Sequence, residues 1–131
     1  MRNQQPVEMI LLRQVASYLA IPIWIMDAEG NLAYYNEPAE MLLGIRFDDV
    51  GPVHVDEIDE VFEVTDLEGE PIPDQELPIV LALKTKAPHH RDMRFRRPDD
   101  AWRDISVTAM PIEGQGGRFV GVFATFWEIR A

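Results

Sequence analysis

The sequence predicts an α+β domain in which short helices pack on an antiparallel sheet. Three observations carry that prediction. The last third of the chain holds three runs of strand-forming residues separated by tight turns, the pattern of a meander. Two shorter runs, 21–27 and 31–36, flank Asp27-Ala28-Glu29-Gly30, an Asp…Gly hairpin signal. Between these two sets lie helix caps and Pro/Gly loops but no linker, so the 131 residues read as one domain.

Taken in order, Val7 to Ala20 read as a helix. Its apolar positions cover an arc of about 220°, roughly twice what docking on a single surface consumes. Leu11, Val15 and Tyr18 are assigned to the sheet, and Leu12, Ala16 and Leu19 to a second apolar stripe. The first strand is apolar on both parities, with Ile21, Ile23 and Ile25 against Trp24 and Met26, so it is covered on both faces. Asn36 then caps a short helix whose first turn carries Glu37, Pro38 and Glu40, a cap worth about 1 kcal/mol. Met41, Leu42 and Leu43 are its expected buried side, and Gly44 ends it in a left-handed cap. Residues 45–73 read as irregular and acidic, with short helical turns around 55–62. A helix is expected over 75–86, with Leu77, Val80 and Leu81 inward. Strands follow at about 91–97, 102–112 and 119–129.

Composition removes several classes of function. No cysteine means no disulfide, thiolate metal site or cysteine nucleophile. Twelve basic against 23 acidic residues give a net charge of −11, a field that repels phosphate backbones and anionic lipid heads. Nucleic acid and membrane are therefore not expected partners. No apolar run approaches the ~20 residues of a spanning helix, and no signal-like core follows the N-terminus. A cytoplasmic location is the expectation.

The stretch from Met26 through Asp27, Gly30, Tyr34, Asn36, Ala39 and Gly44 resembles the D-x-x-G-x-(I/L)-x-(Y/F)-x-N-x-A-x-x-x-x-x-G opening of PAS sensory domains. Asp66-Leu67-Glu68-Gly69-Glu70-Pro71-Ile72-Pro73 resembles the lead-in to that family's long helix. Residues 97–112 and 117–123 resemble its last strands. There are two departures. The turn usually read as Asp-Gly is Asp99-Asp100, and the terminal Asp-Ile-Thr is Glu128-Ile129-Arg130. The second leaves open whether the chain acts through a partner or belongs to a longer sensor. The resemblance implies a five-stranded antiparallel sheet of order 2-1-5-4-3, with short helices enclosing a pocket on one face and the N-terminal helix on the other. It divides the chain into a dimerisation helix, 1–20, and the PAS domain, 21–131.

On that reading Trp24, Met26, Tyr35, Met41, Leu42, Leu77, Val80, Leu81, Met93 and Phe95 surround the pocket. Asp27, Gly30, Asn36 and Gly44 are structural. Independently of the resemblance, the excess apolar arc of the first helix makes Leu12, Ala16 and Leu19 the expected homodimer interface, the alternative being a monomer whose helix wraps the sheet more fully. The cysteine of covalent flavin chemistry and the helix histidine of haem-binding members have no counterpart, so no cofactor is predicted. A noncovalent flavin or small organic ligand stays open. His54, His89 and His90 read as surface residues rather than metal ligands. The acidic run at 48–63 lacks the spacing of a Ca²⁺ loop. Arg91, Arg94, Arg96, Arg97 and Arg103 read as edge-strand charges. The expected function is a sensory and dimerisation module, not an enzyme, working through a signalling output domain or partner protein. The alternatives are a small α+β enzyme using the same cleft, marked by a buried carboxylate–His or carboxylate–Tyr pair, and an interaction domain with a filled core, marked by a cavity below about 100 Å³.

Overall fold

The computed structural model describes residues 6–129; residues 1–5, Arg130 and Ala131 lie outside it, and with them the last residue of the Glu128-Ile129-Arg130 terminus. Helix α1 (Val7–Ala16) precedes the hairpin β1 (Ile23–Asp27) and β2 (Leu32–Tyr35). Helices α2 (Glu37–Leu43), α3 (Phe47–Val50) and α4 (Ile58–Val61) lead to β3 (Glu63–Thr65) and then α5 (Pro78–Thr85). The meander β4 (His89–Arg96), β5 (Trp102–Glu113) and β6 (Phe119–Glu128) completes the chain. All pairings are antiparallel, in the order β2-β1-β6-β5-β4-β3.

The five expected strands keep their expected neighbours, and β3 adds a sixth at the far edge. Its three residues pair with Arg96, Phe95 and Arg94 of β4, and the Arg96 guanidinium lies 2.7 Å from the Glu63 carboxylate. Three residues carry no alternation that a sequence reading could detect. Pairing with β4 makes the strand.

The sheet divides two apolar clusters. On its inner face Trp24, Met26 and Tyr35 pack with Phe62, Leu77, Phe95 and Phe126 beneath the short helices. On its outer face α1 lies across Ile23, Ile25 and Val120. Parity along β1 therefore splits as read for Ile23 and Ile25 against Trp24 and Met26, each side covered by its own layer, whereas Ile21 precedes the strand and is exposed.

Helix α1 stops four residues before its expected end. Asn36 Nδ2 donates to the Ala16 carbonyl at 2.9 Å, and the Ser17 hydroxyl donates to the Gln14 carbonyl at 2.6 Å. Carbonyls that a longer helix would use are thus taken, and Pro22 disfavours helical backbone at the residue before it. The helix is also turned relative to the expectation. Met9, Leu12 and Ala16, spaced i, i+3, i+7, face the sheet, and Met9 and Ala16 are fully buried. Small Ala16 sits where the helix end comes close enough for the Asn36 bond. Leu11 and Val15 are exposed instead, and Tyr18 and Leu19 lie beyond the helix end.

The Pro98-Asp99-Asp100 turn shows how the first departure is accommodated. Asp100 adopts φ +70°, the left-handed conformation a glycine would hold without strain, while the Asp99 carboxylate accepts from the Ala101 amide at 3.1 Å. Asp100→Gly should raise stability by about 0.5 kcal/mol, read as a higher denaturant midpoint at unchanged m-value. A lowered midpoint would show that the exposed Arg96–Asp100 pair outweighs the strain.

Candidate functional site

The hairpin turn and α2 set the frame of the site. Asp27 Oδ1 accepts from the amides of Glu29 and Asn31 at 3.0 and 2.9 Å, and Gly30 takes φ +89°. A side chain at Gly30 would also press on Val55 and His54. Asn36 caps α2 as expected, its Oδ1 accepting from the Ala39 amide, and Gly44 closes the helix at φ +81°. The Arg97 guanidinium crosses that helix end and donates to the Met41 and Leu42 carbonyls.

Asn36 does more than cap. Its Oδ1 also accepts from the Ile23 amide at 3.0 Å, and its Nδ2 donates to both the Ala16 and Ile21 carbonyls at 2.9 Å. One buried amide side chain therefore joins α1, β1 and α2 with its donors and acceptor all used. Its residue type and position announced a cap; the two long-range carbonyls had no signal in the sequence.

Beneath the helices lies a cavity of about 90 Å³ lined by apolar and aromatic side chains, and the indole N–H of Trp24 on its wall is buried without a hydrogen-bond partner. Trp24, Leu77, Met93 and Phe95 line it as expected. Met26, Tyr35 and Val80 are buried in the same cluster but do not reach the cavity, and Leu42 packs half-buried against that cluster. Leu81 is half-buried outside the wall. Met41 is 72% exposed, because α2 turns Ala39 and Leu43 inward, which puts Met41 on the opposite side. The sequence reading missed Ile58, Phe62 and Val64 from the acidic segment, and Ile105, Val107, Ala124 and Phe126 from the meander. The last four follow a period of two and were legible as an inward face; the first three were hidden among carboxylates.

Aromatic packing dominates around Trp24. Its ring stacks on Tyr35 at 5.4 Å between centroids, and Phe62 meets it edge-on at 6.1 Å. The Tyr35 hydroxyl donates to the Ile45 carbonyl at 2.8 Å. Burial, reinforced by Glu40 and Asp49, pushes the Tyr35 pKa up, so the group stays a neutral donor.

The charged candidates are all engaged outside the cavity. Arg91, Arg94, Arg96, Arg97 and Arg103 face Glu76, Asp104, Glu63, Asp99 and Glu128 respectively. His54 lies 2.9 Å from the Glu29 carbonyl, His89 reaches Thr85, and His90 lies between Thr108 and Ser106. Among the described residues no three His, Asp or Glu side chains converge as metal ligands. No helix among the described residues is long and apolar enough to cross a membrane.

Solved structures share this architecture across nearly the whole chain. The PAS domain of Bordetella pertussis BvgS superposes with a TM-score of 0.69 at 18% identity, covering 96% of this chain and 89% of that one. The PAS domain of the fruit-fly ELK potassium channel gives 0.72 at 14% identity, covering 94% and 98%. This is the PAS fold. The Rhodobacter sphaeroides LOV protein superposes on the same PAS-fold sheet and helices with a TM-score of 0.72 at 14% identity, covering 95% of this chain and 69% of that one. No family model and no curated protein matches the sequence. The strand order expected from the resemblance is thus the order found, with β3 added at its edge.

Proposed function

We propose that this chain is a sensory and dimerisation module of a signalling protein, acting by packing rather than by catalysis. The observation that carries the reading is the outer face of α1. Val7, Ile10, Leu11 and Val15 are each more than half exposed there, a contiguous apolar stripe of the kind soluble monomers rarely leave open. Both charges of the helix are turned aside: Glu8 bonds Arg118 at 3.0 Å, and Arg13 lies 4.6 Å over the Tyr34 ring. In a chain of net charge −11, this stripe lets two copies meet without bringing like charges together. A two-fold pairing of α1 against α1 is the simplest closed arrangement. The sequence expectation of a homodimer through this helix is kept, with Leu11 and Val15 replacing Leu12, Ala16 and Leu19.

The cavity supports the non-enzymatic half of the reading. Its wall carries no carboxylate, histidine or hydroxyl to act as acid, base or nucleophile. Tyr35, the nearest candidate for a buried carboxylate–Tyr pair, bonds a backbone carbonyl instead. The small volume and apolar lining give no support to a bound flavin, since ligand pockets run to roughly 300–1,000 Å³ and offer a few polar anchors. The small volume favours, as a second reading, an interaction domain whose core is filled. A cytoplasmic place in a larger signalling assembly agrees with the acidic, cysteine-free composition.

The dimer is tested by light scattering on wild type and on Leu11→Glu/Val15→Glu at roughly 50 µM, where a Kd near 1 µM keeps the pair assembled. Wild type should be dimeric and the double variant monomeric and still cooperatively folded, its melting temperature lower by no more than the lost stabilisation from association. A monomeric wild type, or a variant that stays dimeric, removes α1 as the interface. Native mass spectrometry of freshly purified protein separates the two readings of the core: a retained small molecule supports a sensor, and bare protein mass supports the filled core.

A further inference from the structure

Strand β2 lies at the edge of the sheet, its Leu32 amide donating to the Val53 carbonyl, and carries an aromatic ring on each face. Tyr35 belongs to the inner cluster and Tyr34 to the outer one. Phe47, the first residue of α3, meets both edge-on, at 5.4 Å between centroids in each case. It therefore wraps the sheet edge and joins two clusters that the backbone otherwise separates. Inward, the contacts continue from Tyr35 to Trp24 on the cavity wall. Outward, they continue to Arg13 of α1, whose guanidinium lies 4.6 Å from the Tyr34 centroid and 5.7 Å from that of Phe47. The wedge is held in place by two bonds: the Phe47 amide donates to Glu40 Oε2 at 2.8 Å, and the Tyr35 hydroxyl donates to the Ile45 carbonyl two residues earlier.

We infer that Phe47 couples the cavity to α1 around the edge of β2, so that a change at Trp24 alters how firmly α1 docks on the sheet. The element with two states is α1 itself. It is held by a short apolar seam, the Glu8–Arg118 pair, the Asn36 bond and the Arg13 contact, and it has solvent on its other side. Packed rings transmit a displacement because neither the stack nor the edge-on contacts can yield without losing contact area. The consequence for signalling rests on reading α1 as the dimer face; the coupling is a property of one chain.

Amide hydrogen exchange across α1 tests it, measured in the Leu11→Glu/Val15→Glu background so that the oligomeric state does not enter. Trp24→Phe should speed exchange of the α1 amides about threefold, and should add nothing once Phe47→Leu is present. Ile105→Val, which changes the cavity wall away from the ring contacts, should leave α1 unchanged. Arg118→Ala should loosen α1 independently, so that its effect multiplies with that of Trp24→Phe. The coupling is overturned if Trp24→Phe leaves α1 exchange as in the parent, acts equally with Phe47→Leu present, or is matched by Ile105→Val. Should Phe47→Leu not fold, Arg13→Gln removes the outer contact and completes the same cycle.

Discussion

Replacing Asn36 by alanine should cost about 3–5 kcal/mol, several times what a helix cap alone contributes. The side chain accepts from the Ile23 and Ala39 amides and donates to the Ala16 and Ile21 carbonyls, while the residue is only 1% exposed. Alanine removes all four bonds at once where water reaches poorly, although the Ala16 carbonyl keeps a second donor in the Leu19 amide at 3.2 Å. Each unpaired buried group costs about 1–3 kcal/mol, and relaxation of the junction returns part of the sum. Asn36→Asp separates the two halves of the role. It keeps the acceptor for both amides but sets a carboxylate oxygen against the Ala16 and Ile21 carbonyls. The expected outcome is a folded sheet with α1 released, seen as rapid amide exchange confined to α1. Denaturant midpoints measure the alanine variant. A loss near 1 kcal/mol would reduce Asn36 to its cap.

The second large effect is expected at Gly121. Its backbone conformation is open to any residue, so the constraint is space. A Cβ added there would overlap the Met26 carbonyl oxygen and come within 3.3 Å of the Asp27 Cα and the Met9 sulfur. Two of those atoms are backbone of the paired strand β1, and they cannot move aside without parting the ladder at Asp27–Gly121. Gly121→Ala should cost about 2–3 kcal/mol and loosen the seat of Met9 under α1. Gly69 supplies the contrast. It sits at φ +91° with no atom within 4 Å of an added Cβ, so Gly69→Ala carries only the backbone strain, roughly 1 kcal/mol. If the two variants lose equal stability, close approach at Gly121 is not what requires glycine.

Both predictions concern residues whose types were legible and whose partners were not. Asn36 and Gly44 announced the ends of α2 because capping is chemistry between near neighbours in the chain. The Asp27…Gly30 turn was readable for the same reason. The long strands of the meander were found because alternation over eight or more residues leaves a signal stronger than local propensity. By contrast, β3 is three residues long and exists through its pairing with β4. Met41 was misplaced because three consecutive apolar residues on a short helix do not reveal which one faces outward. Phe47 was passed over because a single aromatic in an acidic segment has no period.

What the sequence determined by itself was the set of local contacts and the faces they repeat on: caps, turns, the meander and the two-sided burial of β1. Those suffice for the fold class and for the PAS resemblance. Tertiary structure decided the rotation of α1, the end of that helix at Ala16, the membership of the cavity wall and its small volume. Each of these depends on atoms brought together from distant positions, as when Asn36 takes the carbonyl of Ala16 or Phe62 closes on Trp24. The physical reason is the range of the forces. Periodicity and capping act within a few residues and leave a trace in their order, whereas packing volume and the last hydrogen bonds are settled only where separate elements meet.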